Sequence, residues 1–420
     1  MNTVGLIVEY NPLHNGHAYH FRESKRSADA EAAVAVMSGH FLQRGEPAIV
    51  NKWARAEMAL EMGADLVLEL PAAYASQPAE WFAYGAVSAL DATGVVDSLC
   101  FGSESGDISA LDVLSGHLAA ESDAFKALIR EELKGGLPYP AAYSRAAARL
   151  LPGVDPAELS KPNNTLGLHY LISLKRLQSN IRPLTITRQK AGYNQTTIDD
   201  AQIASATAIR KLLLEERRLD AVRPFVPEST YRILLREWEC GRGPITWDNF
   251  SRPLLHQLLG QTAEDLAAFY EVAEGLEHRI KMALPRLRPD QPLIVEQLLA
   301  QLKTKRYTLP KLQRMLLRIL LGHRKQQLDA SLLRQGVPYL RVLGFSETGQ
   351  QLLKRMKTTA KVPVVSKVGG AENLMLEMDI RASSMYALAY RDAQADDLFR
   401  DYYQPPIRPS SYDFGSSCCK

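Results

Sequence analysis

The sequence predicts an α/β fold in which an N-terminal, doubly wound parallel sheet is followed by a mainly α-helical C-terminal domain. Short apolar runs alternate with helical patterns in the first half of the chain, which is typical of β-α-β units. Beyond about Val222, helical spacing dominates. A chain of 420 residues is too long for one ordinary core, so we expect two domains, over residues 1–222 and 223–420.

In the first half, each predicted strand is a brief apolar run. The strands are Val4–Tyr10, Ala33–Met37, Leu66–Leu70, Ser98–Phe101 and Leu184–Thr187. The predicted helices between them carry apolar residues at helical spacing. They are Lys52–Met62, Ala79–Ala92, Leu166–Gln178 and Thr207–Glu216. An alanine-rich helical segment, from about Ile108 to Leu151, is expected as an insertion before the last strand.

In the second half, Pro224 and Pro227 mark the predicted linker. The helical patterns that follow are Pro253–Leu258, Ala263–Leu284, Pro292–Leu302 and Leu312–Leu321. A short strand is predicted near Val362–Val365, and the tail after Pro409 is expected to be loose.

The composition sets limits on function. The formal net charge is only +3, so the whole chain is not a polycation and any nucleic-acid site must come from local clustering. The four cysteines include no C-x-x-C pair, so the spacing of a zinc site is missing. No apolar run is long enough to cross a bilayer, and the first residues lack the features of a signal peptide. We therefore expect a soluble, cytoplasmic protein.

The strongest motif is EYNPLHNGH, from Glu9 to His17, which ends the first predicted strand and leads into a helix starting near Gly16. A helix N-terminus offers free backbone N–H groups to a phosphate, and a glycine there allows close approach. His14 and His17 are three residues apart, so both can face one site and donate hydrogen bonds as charge develops on phosphoryl oxygens. Isolated histidines of this kind are often solvated, but the strand-loop-helix context favours a catalytic role.

The second motif is IASATAIRK, from Ile203 to Lys211, after the last predicted strand of the first half. Ser205 and Thr207 suit the N-cap of a helix, and Arg210 can bind phosphate oxygens bidentately. Alone, this pattern would fit an ordinary capped helix. Its position favours phosphate binding, because the chain returns there to the ligand crevice of a doubly wound sheet. The candidate catalytic residues are therefore His14, His17, Ser205, Thr207 and Arg210.

The two motifs together resemble the HxGH nucleotidyltransferase superfamily, whose ATP-binding domains are Rossmann-like. The closer resemblance is to the bacterial tRNA(Met) cytidine acetate ligases, and it extends from Val4 to about Gly349. It is carried by VGLIVEYNPLHNGH, MSGHFLQRGEPAIVNKWARAEMAL, CFGSES, KPNNTLGLHYL and KRYTLPKLQRMLL. The resemblance implies an AMP-forming ligase that activates acetate with ATP as acetyl-adenylate. It then acetylates N4 of the wobble cytidine of elongator tRNA(Met), giving N4-acetylcytidine, AMP and pyrophosphate.

The resemblance also implies nucleotide contacts, residue by residue. The ATP-binding loop would comprise Ile7, Val8, Glu9, Tyr10, Asn11, Pro12, Leu13, His14, Asn15, Gly16, His17, Ala18, Tyr19 and His20. Gly102 and Arg188 match further ATP contacts, and both follow predicted strands, where open α/β sheets bind ligands. Either Asn163 or Asn164 would contact ATP, and the sequence leaves open which one. Mg²⁺ is expected to shield the triphosphate, although no carboxylate cage and no protein-held metal site is visible.

The loop His40–Pro47 leaves the second predicted strand and carries Gln43, Arg44 and Glu46. These side chains could line the acyl or cytidine site, or could belong to a polar surface loop. The same alternatives hold for Lys52 and Arg55 on the next helix.

A basic cluster lies between Lys303 and Lys325, where eight Lys or Arg residues occur without an acidic residue. The predicted RNA contacts are Lys303, Lys305, Arg306, Lys311, Arg314 and Arg318. The last three share one helical face, opposite an apolar face, which fits a helix turned toward a phosphate backbone. The alternative is a solvated amphipathic helix. More positive charge follows at Arg341, Lys354, Arg355, Lys357 and Lys361.

Two other functions share part of this pattern. A nucleotidyltransferase that makes a nucleotide cofactor would carry the same ATP motifs but would not need a basic helical half. An RNA-binding protein with a non-catalytic nucleotide sensor would need the fold but not the intact His14, His17 and Arg210. The sequence does not indicate the oligomeric state or any protein partner.

Overall fold

A computed structural model of the chain describes residues 1–104, 106–120, 122–150, 155–187, 204–216, 218–288, 290–369 and 373–409. Within these residues, strands form one sheet. They are β1 (Thr3–Val8), β2 (Ala32–Ser38), β3 (Leu66–Leu70), β4 (Ser98–Ser103), β5 (Arg182–Thr187), β6 (Leu340–Phe345) and β7 (Val364–Val365). The order across the sheet is β5-β4-β1-β2-β3-β6-β7. All neighbouring pairs are parallel except β3 and β6.

The helices of the first half connect and cover these strands. They are α1 (Asn15–Ser27), α2 (Lys52–Met62), α3 (Ala72–Ala75), α4 (Ala79–Thr93), α5 (Ser109–Ala119), α6 (Asp123–Lys134), α7 (Tyr139–Leu150), α8 (Pro156–Leu159), α9 (Pro162–Arg176) and α10 (Ala206–Leu214). Helix α2 has the predicted bounds because Asn51 caps its first turn by accepting from the Ala54 N–H at 2.9 Å, and Gly63 ends it in the left-handed conformation.

The second half is mainly helical, as predicted. Its helices are α11 (Glu228–Glu239), α12 (Ser251–Gly260), α13 (Ala263–Ala267), α14 (Leu276–Ala283), α15 (Ile294–Leu302), α16 (Leu309–Leu321), α17 (Ala330–Leu333), α18 (Glu347–Thr359), α19 (Leu374–Ala387), α20 (Ala395–Leu398) and α21 (Arg400–Tyr403). The single helix expected over 263–284 is wrong. Glu271, Glu274 and Gly275 have positive φ angles, which separates α13 from α14.

Alternation along β2 explains the two layers of helices. Val34 and Val36 point into one core, with α4 and α9, whereas Ala33, Ala35 and Met37 point into the core on the other face of the sheet. Both sets are almost fully buried. The sheet is therefore covered by helices on both faces, which confirms the doubly wound prediction.

The sheet extends into the second half of the chain. Strand β7 falls within the segment where a strand was predicted, but β6 was not predicted. It pairs antiparallel with β3, with Leu66 opposite Phe345, and all six of its residues are buried. Arg341 interrupts its apolar pattern, although it is itself buried beside Asp401. The division at residue 222 remains a prediction, and the sheet itself continues beyond it.

A further apolar core lies among the helices of the second half. Phe250, Leu254, Leu312, Leu316 and Tyr386 are among its buried members, contributed by α12, α16, α19 and the turn before α12. Phe41, from the loop after β2, also packs in this core. The helical region therefore contacts the loop at the carboxyl end of β2 directly.

Candidate active site

A cavity of about 300 Å³ opens at the carboxyl ends of β1, β4 and β5. The chain order runs outward from β1 in both directions, so the gap between β1 and β4 is the switch point of the sheet. Open α/β sheets bind ligands at such a point because the adjoining loops diverge there. Both sequence motifs contribute to the cavity wall.

The histidine pair is fixed by the start of α1. His14 is the N-cap, and its Nδ1 accepts a hydrogen bond of 3.1 Å from the Gly16 N–H. The Nδ1 of His17 accepts a bond of 3.3 Å from the His14 N–H. The two rings stack with centroids 3.8 Å apart, and Tyr10 meets His17 edge-on. Because each Nδ1 is an acceptor, a neutral ring carries its hydrogen on Nε2.

The second motif reaches the same wall. Ser205 caps α10 by accepting from the Ala208 N–H at 3.1 Å. Arg210, in the second turn of α10, donates from Nη1 to the Asn11 carbonyl at 3.0 Å and from Nη2 to the Thr207 hydroxyl at 3.4 Å. Ser205, Thr207 and Arg210 all line the cavity. Tertiary structure thus brings together all five candidate catalytic residues.

The predicted ATP loop divides into lining and supporting residues. The cavity is lined by Ile7, Val8, Glu9, Tyr10, Asn11, His14, Gly16, His17, Tyr19 and His20. Pro12, Leu13, Asn15 and Ala18 are not part of the wall. Leu13 is fully buried in the core, and the Asn15 amide donates to the Pro224 carbonyl at 3.0 Å. These residues support the turn on the side away from the cavity.

Gly102 lines the cavity on β4, as expected. Of the atoms in the described residues, a Cβ at this position would meet one neighbour within 4 Å, His20 Cδ2 at an ordinary 3.8 Å. The fold by itself therefore has room for a side chain at residue 102. A glycine there leaves space for a ligand. Arg188, the other predicted strand-end contact, lies outside the described residues.

The choice between the two asparagines follows from their contacts. Asn163 lines the cavity at the start of α9, and its amide donates to Glu104 at 2.8 Å. Asn164 is buried, with its amide donating to the Glu158 carbonyl and its oxygen accepting from the Glu104 N–H. Asn163 is therefore the asparagine that a cavity ligand can reach.

The loop after β2 is also part of the site. Gln43, Arg44 and Glu46 line the cavity, which the sequence had left open. Lys52 and Arg55 do not. Lys52 is fully buried between Glu69 and Asp401, at 2.8 Å from each. The buried Arg55 guanidinium donates to the carbonyls of Val50, Glu9, Ser38 and Gly39, so it ties this loop to β1.

An apolar part of the wall was missed in the sequence. It consists of Phe82, Cys100, Phe101, Leu166 and Tyr170. Cys100 and Phe101 directly precede Gly102 in the CFGSE segment, so the resemblance could have indicated these two. The other three lie on α4 and α9, where apolar residues at helical spacing indicate only a core.

Electrostatics in the cavity centre on Glu9. Burial raises the pKa of its carboxyl above the ordinary carboxylate value, opposed by the Gln43 N–H and by Arg55 and Arg44, while Glu46 raises it further. Among the described residues, no group of three His, Cys, Asp or Glu side chains could hold a metal ion. Glu9 and Glu46 are the carboxylates of the wall that the structure describes.

The predicted basic face of α16 is wrong for its last two residues. Arg318 has no exposed surface and donates to the carbonyls of Ser76 and Ala72, at 2.6 and 3.4 Å. Arg314 is 7% exposed and pairs with Glu271 at 3.3 Å. Lys311 is half-buried beside the same carboxylate. Helix α16 is enclosed by other elements rather than amphipathic at a surface, so these arginines meet protein acceptors.

Lys303, Lys305 and Arg306 are exposed, on the segment before α16. Arg306 forms an exposed ion pair with Glu274 at 2.8 Å. Within the part of the chain that the structure describes, no helix is both long and apolar enough to span a membrane.

Comparison with known proteins agrees with this architecture. Residues 1–401 match the family model described as HIGH Nucleotidyl Transferase. The tRNA(Met) cytidine acetate ligase of Acetivibrio thermocellus is 41% identical over 404 residues, covering 93% of this chain and 96% of the relative. That of Bacillus velezensis is 42% identical over 417 residues, covering 97% of each.

A solved structure has the same fold. Thermotoga maritima TmcAL bound with alpha-thio ATP superposes with a TM-score of 0.87 at 35% identity, covering 97% of this chain and 99% of that one. The apo form of the same protein gives a TM-score of 0.89. With identity near 40% over nearly its whole length, the chain belongs to the tRNA(Met) cytidine acetate ligase family of HIGH nucleotidyltransferases.

Proposed function

We propose that this protein is an ATP-dependent, AMP-forming ligase that acetylates the wobble cytidine of elongator tRNA(Met). In the first step, an acetate oxygen attacks the α-phosphorus of ATP, the bond to the β-phosphate oxygen breaks, and pyrophosphate leaves. In the second step, the N4 amine of the cytidine attacks the acetyl carbonyl and AMP leaves. The observation that carries the proposal is the meeting of His14, His17, Thr207 and Arg210 in one cavity at the switch point of the sheet.

The geometry suits stabilisation of charge at phosphorus. Both histidine rings, neutral with hydrogen on Nε2, would act as donors to phosphoryl oxygens that gain charge in the transition state. The N-terminus of α1 adds its backbone N–H groups and its dipole. Phosphoryl chemistry of this kind needs positioning and charge stabilisation more than covalent help.

Arg210, with Thr207 and Ser205 at the start of α10, would hold the leaving pyrophosphate. The guanidinium is already oriented by the Asn11 carbonyl and the Thr207 hydroxyl. A planar guanidinium in a fixed position binds phosphate oxygens better than a flexible cation. Asn163 and Gly102 would contact the nucleotide on the β4 side, and Arg188 is proposed as a further contact.

Mg²⁺ stays an expected participant. Since no group of three metal-binding side chains occurs among the described residues, a bound Mg²⁺ would be held mainly by phosphate oxygens and water, as is usual for this ion. Its chemistry would be to neutralise triphosphate charge.

For the RNA, we propose that Lys303, Lys305 and Arg306 contact the phosphate backbone. They precede α16, and the backbone of Arg314 in α16 packs against Gly45 of the loop His40–Pro47, which lines the cavity. Thr308, the N-cap of α16, is about 9 Å from Arg314 along the helix at 1.5 Å per residue. The cations of α18 are less well placed to hold RNA near the cavity. Gly349 of α18 packs against Asp65, at the amino end of β3, whereas the cavity lies at the carboxyl ends of the strands.

Pyrophosphate exchange and tRNA analysis test this proposal together. We expect exchange of labelled pyrophosphate into ATP that depends on acetate, and labelled N4-acetylcytidine in tRNA after incubation with ATP and labelled acetate. A cofactor-making nucleotidyltransferase would exchange pyrophosphate without acetate, in the presence of its own nucleophile. A non-catalytic sensor would bind ATP and catalyse no exchange. Either of these results would contradict the ligase.

A further inference from the structure

Glu9 belongs to the predicted ATP-binding loop and lines the cavity, but the steps proposed at phosphorus give its carboxylate no role. It follows β1 directly, and its backbone carbonyl is held by Arg55 at 2.7 Å. Its Oε1 accepts the Gln43 N–H at 2.8 Å and the Ser38 hydroxyl at 3.4 Å. Among the described residues, no hydrogen bond to its Oε2 occurs. The carboxylate is thus oriented through one oxygen and retains the other for a ligand.

The second step of the proposed reaction needs a proton acceptor. The N4 amine of cytosine is a poor nucleophile because its lone pair is conjugated with the ring. When it attacks the acetyl carbonyl, the C–N bond forms, the bond from the acetyl carbon to the phosphate oxygen breaks with its electron pair going to AMP, and one N4 proton must be removed. A carboxylate is also the group that recognises the N4–H donor of cytosine.

The two catalytic histidines are poorly suited to this role. In each ring Nδ1 accepts from a backbone N–H, so a neutral ring has a donor, not an acceptor, at Nε2. A carboxylate whose pKa lies above the ordinary range is a stronger base than a solvated one. Arg55 of α2, Arg44 and Glu46 of the loop, and His20 of α1 are the other charged or titratable groups near Glu9 that bear on its titration.

We propose that Glu9 binds the N4 amine of the target cytidine and accepts its proton during acyl transfer. This inference rests on the proposed function and adds a residue for its second step. It assigns Glu9 to the base-binding side of the cavity, apart from the phosphate-binding side formed by the two histidines and Arg210.

The variant that tests it is Glu9→Gln. Glutamine keeps an oxygen that can accept the Gln43 N–H, so the loop should stay in place, but it cannot take a proton. Transfer is measured in a single turnover, by adding tRNA to enzyme that has already formed labelled acetyl-adenylate. We expect transfer to slow by about 100-fold or more, the range for loss of a general base. The same variant should also slow acetate-dependent pyrophosphate exchange less than transfer. The fold-loss of exchange should be at least about ten times smaller than the fold-loss of transfer.

The pH profile gives a second readout. In the wild type, the transfer rate should rise with pH as the Glu9 carboxyl loses its proton, at a pH above the ordinary carboxylate range, and then level off. In the Glu9→Gln variant this rise should vanish. Glu46→Gln is the matched control, because it removes another carboxylate from the same wall. It should change exchange and transfer by the same factor and keep the pH-dependent rise.

Three results would overturn the inference. Equal losses of exchange and transfer with a raised KM for ATP would mean that Glu9 holds the nucleotide. A wild-type transfer rate in Glu9→Gln, or a pH-dependent rise that persists in it, would put the base elsewhere. Failure of the proposed function looks different, because then the wild type itself would leave tRNA unmodified, and this inference would fall with it.

Discussion

The guanidinium of Arg210 donates a hydrogen bond of 3.0 Å to the backbone carbonyl of Asn11, which lies 199 residues earlier in the chain. This bond joins the strand-to-helix turn that carries His14 to the helix that carries Thr207. It orients the arginine before any phosphate binds, so less side-chain entropy is lost on binding. The site is therefore one prebuilt unit made from two distant motifs.

His17→Ala should abolish most catalysis and also weaken the start of α1. We expect turnover to fall by about 100-fold or more, the scale for losing one transition-state donor. Stability should fall by about 0.5–2 kcal/mol, because His17 Nδ1 accepts the His14 N–H. The matched variant is His17→Gln, since glutamine at this position can restore the cap but not the ring. Wild-type turnover in either variant would contradict the assigned role.

Arg210→Ala should raise the KM for ATP and slow turnover, because the phosphates are held more tightly as pyrophosphate leaves. Arg210→Lys should recover only part of the loss, since an ammonium cannot reach the Asn11 carbonyl, the Thr207 hydroxyl and two phosphate oxygens together. Steady-state kinetics and ATP titration measure both. If ATP affinity and turnover were unchanged in Arg210→Ala, the second motif would be structural.

Replacing Lys303, Lys305 and Arg306 together by Gln should weaken tRNA binding. In a plot of the logarithm of the tRNA association constant against the logarithm of salt concentration, the slope should become less steep by up to about 2–3, because fewer counterions are released. Acetate-dependent pyrophosphate exchange should stay at the wild-type rate, since these residues lie outside the cavity wall. The matched control replaces Lys354, Arg355 and Lys357 by Gln. These three residues are exposed on α18, which begins beside the amino end of β3, away from the cavity. If only the control changed the salt slope, the RNA surface would lie there.

Gly45→Ala should distort the loop that lines the cavity. Gly45 has a φ of 78°, and a Cβ would come within 2.4 Å of the Arg314 backbone nitrogen. The left-handed conformation alone costs an alanine about 1–2 kcal/mol, and the clash must displace the loop. We expect a lower free energy of unfolding, measured by urea unfolding. We also expect a higher KM for at least one of the three substrates, ATP, acetate and tRNA, measured by steady-state kinetics. Gly260→Ala is the control, because a Cβ there meets no atom of the described part of the chain within 4 Å. Equal effects of the two changes would contradict this reasoning.

Stability should fall in mild acid because His169 is buried as a neutral ring. Burial lowers the pKa of His169 from its ordinary 6.5 to about 4. Between these values the unfolded chain binds more protons, so the free energy of unfolding rises with pH, and this contribution is complete above the unfolded pKa. It is lost as pH falls, by up to about 1.4 kcal/mol per pH unit. His169→Gln should reduce that slope in urea unfolding at several pH values, and an unchanged slope would contradict the assignment.

Local patterns were sufficient for much of this protein. Strand β3 and helix α2 have the bounds that their apolar patterns predicted, and the turn from Glu9 to His17 leads into a helix as expected. These features depend on interactions within a few residues, such as the cap that Asn51 gives to α2. The polar side chains of the two motifs could be identified as candidates for the same reason, because each motif carries its own helix start, whereas Gln43, Arg44 and Glu46 were left open.

Partners distant in sequence decided the rest. Arg341 interrupts the apolar pattern of β6, and its contact with Asp401, 60 residues later, lets a buried cation lie in the sheet. Arg318 looked like a surface charge, but the carbonyl of Ser76, 242 residues earlier, receives its hydrogen bond. A charge can be buried only where acceptors meet it, and the local sequence does not contain those acceptors. The sequence determined which segments carry the candidate site residues, and the tertiary structure decided which cations line the cavity and which are buried against protein acceptors.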